Sequence, residues 1–280
     1  MTTRSSPTDS HGISDAPTPR RRRASVPGWV YPAGAVAIAV IAWDVAIRIF
    51  DIKAFILPPP LTVVEAVIND FPNLMRNSAI TLQEVLAGFA LSVAVGIPLA
   101  LAIASWPLVD KAAYPLLVGS QAVPKIAIAP LFIIWLGFGI APKILMAFLI
   151  SFFPIVIDTV IGLRSVEIEK IYLARSMGAS RWQTFYKIRL PSAMPNIFGG
   201  LKLAVTFAVT GAVVGEFLGT DRGLGRVIIV ANGNLDTAAL FAAVAILTVM
   251  AVALFLVVEL VERFVVRWHV SQRGLHHGRH

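Results

Sequence analysis

The sequence predicts an all-α membrane protein with six transmembrane helices. Of its 280 residues, 57% are hydrophobic and only 14% are charged, and the mean hydropathy is +0.77. A helix needs about 20 mostly apolar residues to cross a bilayer. Lipid accepts only helices or closed barrels, and these apolar stretches are too long to be barrel strands. The six predicted spans are residues 29–50, 78–105, 112–137, 142–163, 195–218 and 238–261.

The basic residues fall mainly on one side of this predicted topology. If the N terminus is cytoplasmic, 16 of the 24 Lys and Arg residues lie in cytoplasmic segments and five lie in external segments. Cytoplasmic loops of membrane proteins carry this excess of Lys and Arg, so both termini are predicted to be cytoplasmic. The net charge of +8 therefore reflects topology, and nucleic-acid binding is not needed to explain it.

Polar tails flank the predicted transmembrane domain, residues 29–268. Residues 1–28 are rich in Pro, Ser, Thr and Arg and predict a disordered tail. The arginines at 20–23 could belong to a twin-arginine export signal, but the apolar stretch that follows is too long and lacks a clear cleavage site. A retained signal anchor is the favoured interpretation. Residues 269–280 contain four of the five histidines, and a solvated cytoplasmic tail is favoured there over a metal site.

A polar, basic segment, residues 164–192, separates the fourth and fifth predicted spans. Helical spacing predicts a helix over residues 166–177 that stops at Gly178. Ser180 can cap a second helix, residues 181–188, which Leu190 and Pro191 are expected to end. Two short helices at an angle would form a compact knob that a partner could grip. The alternative is an amphipathic loop that lies on the lipid headgroups.

The residue order of this segment resembles the cytoplasmic signature loop of binding-protein-dependent ABC importer permeases. That signature reads Glu-Ala-Ala, three residues, Gly, about nine residues, an aliphatic residue, one further residue and Leu-Pro. Here the opening is Tyr172-Leu173-Ala174, so the acidic residue is missing, but the Gly and the Leu-Pro stand at the expected places. The resemblance implies an ATPase-docking surface made by Tyr172, Ala174, Gly178, Ala179, Trp182, Phe185, Leu190 and Pro191.

Other stretches resemble the nitrate/sulfonate/taurine branch of these permeases, notably residues 121–139, 152–163, 195–201 and 215–225. Residues 215–237 are also similar to permeases for pyrimidine or riboflavin-type vitamin precursors. The resemblance implies the type I importer permease (MetI-like) fold, a homodimer in the bacterial inner membrane, two ATPase subunits that bind the ATP, and an external solute-binding protein. It implies no cofactor in this chain. It favours a sulfonate, taurine or nitrate solute, with the vitamin precursors as the alternative.

Polar residues inside the spans are candidates for a translocation path, because such residues are costly in lipid and often functional. Lys125 follows Pro124, where the helix must break or kink, and it could attract an anionic solute or satisfy freed carbonyls. Asp158 and Glu216 would repel an anion unless they pair with Lys125 or Lys202. The candidates for the path are Gln121, Lys125, Thr206, Thr210 and Glu216, together with Gln83 and Glu84.

Other patterns predict structure. Asp44 and Arg48 lie one helical turn apart and are expected to neutralise each other. Gly211, Gly215 and Gly219 are spaced by four residues, which lets helix backbones touch either between two subunits or within one. Outside the membrane, residues 62–68 predict a short interfacial helix capped by Thr62, and residues 223–231 predict a second one. Either segment could instead be a loop that covers helix ends.

The sequence contains no pattern for catalysis. The Gly-x-x-x-x-Gly-Lys-Ser/Thr motif that cradles ATP phosphates is missing, and with no cysteine there can be no cysteine zinc site. We therefore expect a channel-forming subunit and no enzyme. An ion-driven carrier would need paired acidic residues at mid-membrane and an internal repeat, and a membrane-embedded enzyme would need a catalytic constellation; neither is evident.

Overall fold

The computed structural model describes residues 30–218 and 221–266, which form helices joined by short loops and contain no strand. The predicted tails, Trp29 and Gly219 lie outside the described residues. A π-helical turn, Phe185–Arg189, joins two of the helices. The helices are α1 Val30–Ile49, α2 Pro60–Asn69, α3 Phe71–Ser105, α4 Pro107–Ser120, α5 Lys125–Leu136, α6 Ile140–Arg164, α7 Ile168–Ser176, α8 Arg181–Thr184, α9 Leu190–Glu216, α10 Leu224–Gly233 and α11 Thr237–Val265.

The all-α class and its membrane character are confirmed. By length and composition, four helices of the described residues can cross a membrane: α3, α6, α11 and a continuous helix that runs from α8 through α9. The bent pair of α4 and α5 would be a fifth span. The first predicted span coincides with α1, a 20-residue helix, and its crossing of the membrane stays a prediction.

The third predicted span, residues 112–137, is not one straight helix. Helices α4 and α5 meet at a bend of 98°, and Pro124 lies directly before the first residue of α5. Proline disfavours a helical conformation at the residue before it and cannot donate a backbone hydrogen bond. The break predicted at Pro124 is therefore confirmed, and the third predicted span corresponds to this bent pair of helices.

The expected helix stop at Leu190 and Pro191 is also wrong. In the π-helical turn, the amide of Leu190 donates to the carbonyl of Phe185, five residues earlier. Pro191 directly follows this wider turn and is the second residue of α9, so the proline lies inside a helix that has already begun. As a result α8, the π-helical turn and α9 form one 36-residue helix, Arg181–Glu216.

Helix α6 lies between α3 and α9, and glycines let all three backbones approach closely. Gly88 of α3 and Gly211 of α9 both face Ala147 of α6. A Cβ atom at Gly211 would lie 2.6 Å from the Cα of Ala147, and one at Gly88 would lie 2.9 Å from the carbonyl oxygen of Ile144. The spans therefore pack by small-residue contacts, as is common between helices in lipid.

The two short helices exist close to where the sequence predicted them. Helix α2 packs against α11, and α10 packs against both α9 and α11. Helix α2 begins at Pro60, so Thr62 lies inside the helix and is not its cap. Proline suits the first helical position because its fixed φ is already helical. Helix α10 begins directly after Gly223, at the predicted place.

Candidate functional site

The knob, which we define as residues 168–189, is built around a sharp turn at Gly178. The amide of Ala179 donates to the carbonyl of Ala174 at 3.0 Å, and the amide of Gly178 donates to the carbonyl of Arg175 at 3.0 Å. This pair of bonds is a Schellman motif, which ends α7 and needs a left-handed residue at its centre. Gly178 has φ +83°, a conformation that residues with a side chain rarely adopt. The predicted helix stop is confirmed.

Ser180 starts the second helix of the knob with a capping box. Its hydroxyl accepts from the amide of Gln183 at 3.2 Å, and its own amide donates to the side chain of Gln183 at 2.8 Å. The reciprocal bonds satisfy two amides that a helix start otherwise leaves free. The predicted cap is confirmed, and the two motifs together fix the angle between α7 and α8.

The structure divides the predicted docking residues into two groups. Tyr172 and Trp182 are exposed, by 62% and 71%, and Trp182 stacks on Tyr186 with ring centroids 5.9 Å apart. In contrast, Phe185 and Leu190 pack against the core at the start of α9, and Pro191 is half-buried there. The second group therefore attaches the knob to the bundle, and the first is available to a partner.

A shallow groove lies on the face of the knob that carries Gly178. Its volume is about 440 Å³. Three of the predicted docking residues, Ala174, Gly178 and Ala179, line this groove. Its other walls are formed by Met177, Gln183, Thr184, Lys187 and Ile188. Small residues at the centre of an exposed groove leave room for a side chain or helix of another protein.

The residues predicted for a translocation path are not gathered into one site. Gln121 and Thr210 are exposed, whereas Thr206 is half-buried. The ammonium group of Lys125 lies 4.4 Å from the centre of the Phe153 ring, a distance typical of a cation–π contact. Among the described residues, no ion pair joins Lys125 to Asp158 or to Glu216, and the carboxylate of Glu216 has other partners.

Glu216 is 1% exposed and lies in a polar cluster inside the bundle. Its carboxylate accepts from the Thr81 hydroxyl at 2.6 Å and from the amide of Gly225 at the start of α10. Two further amides of this turn donate to side chains of α3: Leu224 to the Thr81 hydroxyl at 2.9 Å, and Gly223 to Asn77 at 2.8 Å. The carboxylate of Glu216 therefore caps the start of α10, and its place on a translocation path stays a prediction.

A buried ion pair completes this cluster. The ammonium group of Lys143 lies 2.7 Å from the carboxylate of Glu84, and the two side chains are only 8% and 0% exposed. Lys143 also donates to the carbonyl of Arg222 at 3.3 Å. Buried charges are tolerated only when they are paired and hydrogen-bonded. The cluster therefore holds α3, α6, α9 and the start of α10 together.

Lys143, at the start of the predicted span 142–163, was not among the residues predicted to have a role. One signal was available: a glutamate inside an apolar span needs a cation, and Lys143 is a basic residue at the start of another predicted span. Lys202, offered as a partner for Asp158 or Glu216, instead pairs with Glu262 of α11 at 2.8 Å. The predicted pair of Asp44 and Arg48 is confirmed, at 2.7 Å.

Two glycines of the predicted packing motif face α6 of the same chain. A Cβ atom at Gly215 would lie 2.8 Å from the Cα of Lys143, and Gly211 meets Ala147 in the same way. Gly219 lies outside the described residues. These contacts correspond to the alternative in which the glycines pack helices within one subunit.

Comparisons with known proteins agree with this arrangement. The family described as "Binding-protein-dependent transport system inner membrane component" matches residues 92–269. The riboflavin transport system permease protein RibX of Chloroflexus aurantiacus is 37% identical over 236 residues, which are 84% of this chain and 88% of that protein. The formylaminopyrimidine transport permease protein ThiX of Halalkalibacterium halodurans is 35% identical over 83% of this chain and 93% of its own length.

The taurine transport system permease protein TauC of Escherichia coli is 29% identical over 84% of this chain and 88% of its own length. Among solved structures, the MetNI methionine ABC transporter in an inward-facing conformation superposes with a TM-score of 0.61 at 16% identity, over 70% of this chain and 98% of the other. That similarity supports the MetI-like fold. The chain belongs to the family of binding-protein-dependent transport system inner membrane components, as a permease subunit of an ABC importer and not as an enzyme.

Proposed function

We propose that the knob is the docking site for a separate ATPase subunit, which binds and hydrolyses the ATP. The observation that carries this proposal is the knob itself, an exposed pair of short helices locked by a Schellman motif and a capping box. In this proposal, two copies of the chain enclose the path in a bacterial inner membrane, with both termini cytoplasmic. Two ATPase subunits dock from the inside, and a solute-binding protein delivers the solute from the outside.

The route from the knob to the spans supports a rigid-body mechanism. Helix α8 continues through the π-helical turn into α9 without a break, and Phe185 packs against the core between α6 and α9. A displacement of the knob is therefore passed directly to α9 and to its neighbour α6. When the two ATPase subunits close on ATP, they draw the two knobs together, and the spans follow.

For the solute, we propose a heterocyclic vitamin or vitamin precursor. The relatives named for riboflavin and for formylaminopyrimidine are 37% and 35% identical to this chain, against 29% for the taurine relative. The exposed face of α9 supports this choice, because Phe207 lies there beside Thr206 and Thr210. An aromatic ring with neighbouring hydroxyls suits a planar, hydrogen-bonding solute.

A sulfonate, taurine or nitrate solute is the second candidate. The observation that favours it is Lys125, which has no carboxylate partner among the described residues and sits at the break between α4 and α5. A lysine at a broken helix near mid-membrane could attract an anion. The contact of the Lys125 ammonium group with the Phe153 ring lowers its need for an anion, so we place this candidate second.

Uptake by reconstituted vesicles tests the proposed function. The chain, co-purified with its ATPase, is placed in vesicles, the matching binding protein is supplied on the side that corresponds to the cell exterior, and ATP on the side of the ATPase. We expect uptake that requires ATP and the ATPase. Uptake driven by an ion gradient without ATP would contradict the proposal and favour an ion-driven carrier.

The same vesicles separate the two solute classes. Riboflavin, formylaminopyrimidine and taurine are offered singly, and each is tested with the wild-type chain and with Lys125→Gln. If the solute is heterocyclic, we expect uptake of riboflavin or of formylaminopyrimidine. Lys125→Gln should then leave the uptake kinetics unchanged. Uptake of taurine that weakens in Lys125→Gln would support the second candidate instead.

A further inference from the structure

A second hollow lies on a different face of α8 from the Gly178 groove. It is bounded by the end of α3, the start of α4 and the knob, and its volume is about 950 Å³. Leu101 and Ile103 contribute apolar walls from α3, and the buried side chains of Ile171 and Thr184 contribute walls from the knob. The volume is at the upper end of the range typical of ligand sites.

The hollow, which we call the arginine pocket, carries a surplus of positive charge. Four arginines line it, and Asp110 is its one acidic lining residue. Asp110 pairs with Arg164 at 2.5 Å. The other three, Arg175, Arg181 and Arg189, have no carboxylate partner within the described ranges. Guanidinium groups that converge on a hollow with apolar walls create a stronger positive potential than the same groups on an open surface.

The rim of the arginine pocket is amphipathic. Trp106 and its neighbour Leu108 are 61% and 81% exposed, and the stacked rings of Trp182 and Tyr186 form another part of the wall. Tryptophan and tyrosine are enriched where a membrane protein meets the headgroups. If the knob is cytoplasmic, as the proposed function requires, the pocket opens at the headgroup level of the inner leaflet.

We propose that the arginine pocket binds a phosphate-bearing headgroup, supplied by an anionic phospholipid of the cytoplasmic leaflet. The planar guanidinium group matches phosphate oxygens with two parallel hydrogen bonds. Basic pockets between transmembrane helices on the cytoplasmic side suit anionic headgroups for this reason. The acyl chains leave along the apolar rim at Trp106 and Leu108. A bound headgroup connects α3 and α4 to α8, so it steadies the knob from a different face of α8 than the Gly178 groove.

Lipid retention by the full-length chain tests this proposal. The purified, delipidated protein is titrated with phosphatidylglycerol or phosphatidylcholine and examined by native mass spectrometry. We expect the wild type to retain phosphatidylglycerol preferentially. We expect Arg175→Gln combined with Arg189→Gln to retain it about tenfold less, because two charge-assisted contacts are lost. The control Arg263→Gln removes an exposed arginine that pairs with Glu259 on α11, and it should retain phosphatidylglycerol like the wild type.

Competition with a soluble phosphate compound identifies the source of the phosphate group. Glycerol 3-phosphate should displace phosphatidylglycerol only weakly if the ligand is a lipid. Strong binding of glycerol 3-phosphate without retention of phosphatidylglycerol would overturn the lipid source and assign the pocket to a soluble phosphate compound. Equal retention of phosphatidylglycerol by the wild type and the double variant would overturn the proposal altogether. Arg181→Gln provides an independent variant if the double variant fails to fold.

The measurement is separate from the test of the proposed function. Retention is recorded on the chain alone, so a failure of ATPase docking does not affect it. ATPase co-purification is then measured on the same variants. Loss of lipid retention with normal ATPase co-purification would support a lipid site that is independent of ATPase docking. Loss of ATPase co-purification alone would implicate these arginines in docking and count against a lipid role.

Discussion

Lys143 shows how a charged side chain can be enclosed inside this bundle. Its ammonium group has a carboxylate at 2.7 Å and a backbone carbonyl at 3.3 Å, both inside the protein. Removing one partner of a buried ion pair leaves the other charge uncompensated, which is more harmful than removing both. Lys143 and Glu84 therefore act as a unit, and their effect has to be measured as a unit.

We predict that Lys143→Met lowers the free energy of unfolding by about 3–5 kcal/mol, because Glu84 stays buried without a cation. The double variant Lys143→Met with Glu84→Met should recover most of that loss. Thermal unfolding in detergent measures both. As a matched control, Lys53→Met removes an exposed loop lysine and should change stability by less than about 0.5 kcal/mol. If the double variant were as unstable as the single one, the pair would not be the cause.

A second prediction at the residue scale concerns two glycines of α9. Gly211 faces the backbone of α6, whereas a Cβ atom at Gly199 would meet nothing within 4 Å. Gly211→Val should therefore destabilise the bundle by about 1–3 kcal/mol through overpacking, and Gly199→Val should be much milder. Since both substitutions lie in the same helix, intrinsic helix propensity cancels in the comparison. Similar unfolding temperatures for the two variants would contradict the close contact of α9 with α6.

At the scale of the elements, the knob owes its shape to a few backbone positions. Gly178 supplies the left-handed turn, Ser180 starts the next helix, and the π-helical turn carries that helix into α9. The spacing between Ala174 and Gly178 follows from the Schellman motif, whose bonds run from the residues after the turn back to the last turn of α7. The missing glutamate of the signature leaves this backbone geometry unaffected.

We predict that Gly178→Val disrupts the knob without preventing membrane insertion. A β-branched residue at φ +83° is strained by about 1–3 kcal/mol, so the turn should open and α8 should lose its fixed angle. ATPase co-purification and ATP-driven uptake should both fall strongly. The control Gly119→Val places valine in α4, where the glycine has open space, and it should retain both activities. Normal ATPase co-purification with Gly178→Val would count against the docking assignment.

Much of the helical plan could be predicted from sequence, because the length and spacing of apolar residues decide which segments enter the bilayer. The predicted span 142–163 differs from α6 by only a few residues. The continuation of the helix through Pro191 could not be predicted, because proline rules describe α-helical turns and the widened turn at Phe185–Arg189 changes the local bonding. The place of Glu216 also required the fold, since its partners Thr81 and Gly225 lie on other helices.

At the scale of the whole molecule, ion pairs join the spans at two places. The Lys143–Glu84 pair and Glu216 tie α3, α6 and α9 where α10 begins. The Lys202–Glu262 pair ties α9 to the last turn of α11. With glycine contacts along α6 between these places, the spans of one subunit resist sliding past each other. Alternating access is then more easily achieved by moving whole subunits than by rearranging helices within one.

The absence of cysteine from the sequence allows a sharp test of how this molecule sits in the membrane. Ser176→Cys places one thiol on the exposed face of α7, and Asp221→Cys places one on the exposed turn before α10. Because α9 crosses the membrane between the knob and that turn, the two thiols should lie on opposite sides. In intact cells expressing the chain without its ATPase, a membrane-impermeant maleimide should label the Asp221→Cys variant only.

Permeabilising the cells should then expose the thiol at position 176, while the cysteine-free wild-type chain should remain unlabelled in both conditions. The expected pattern follows from the excess of Lys and Arg on the side of the knob. Labelling of Ser176→Cys in intact cells would place the knob outside, where no ATP-driven partner could reach it. Both the docking site and the headgroup site would then have to be abandoned, because each depends on α7 and α8 facing the cytoplasm.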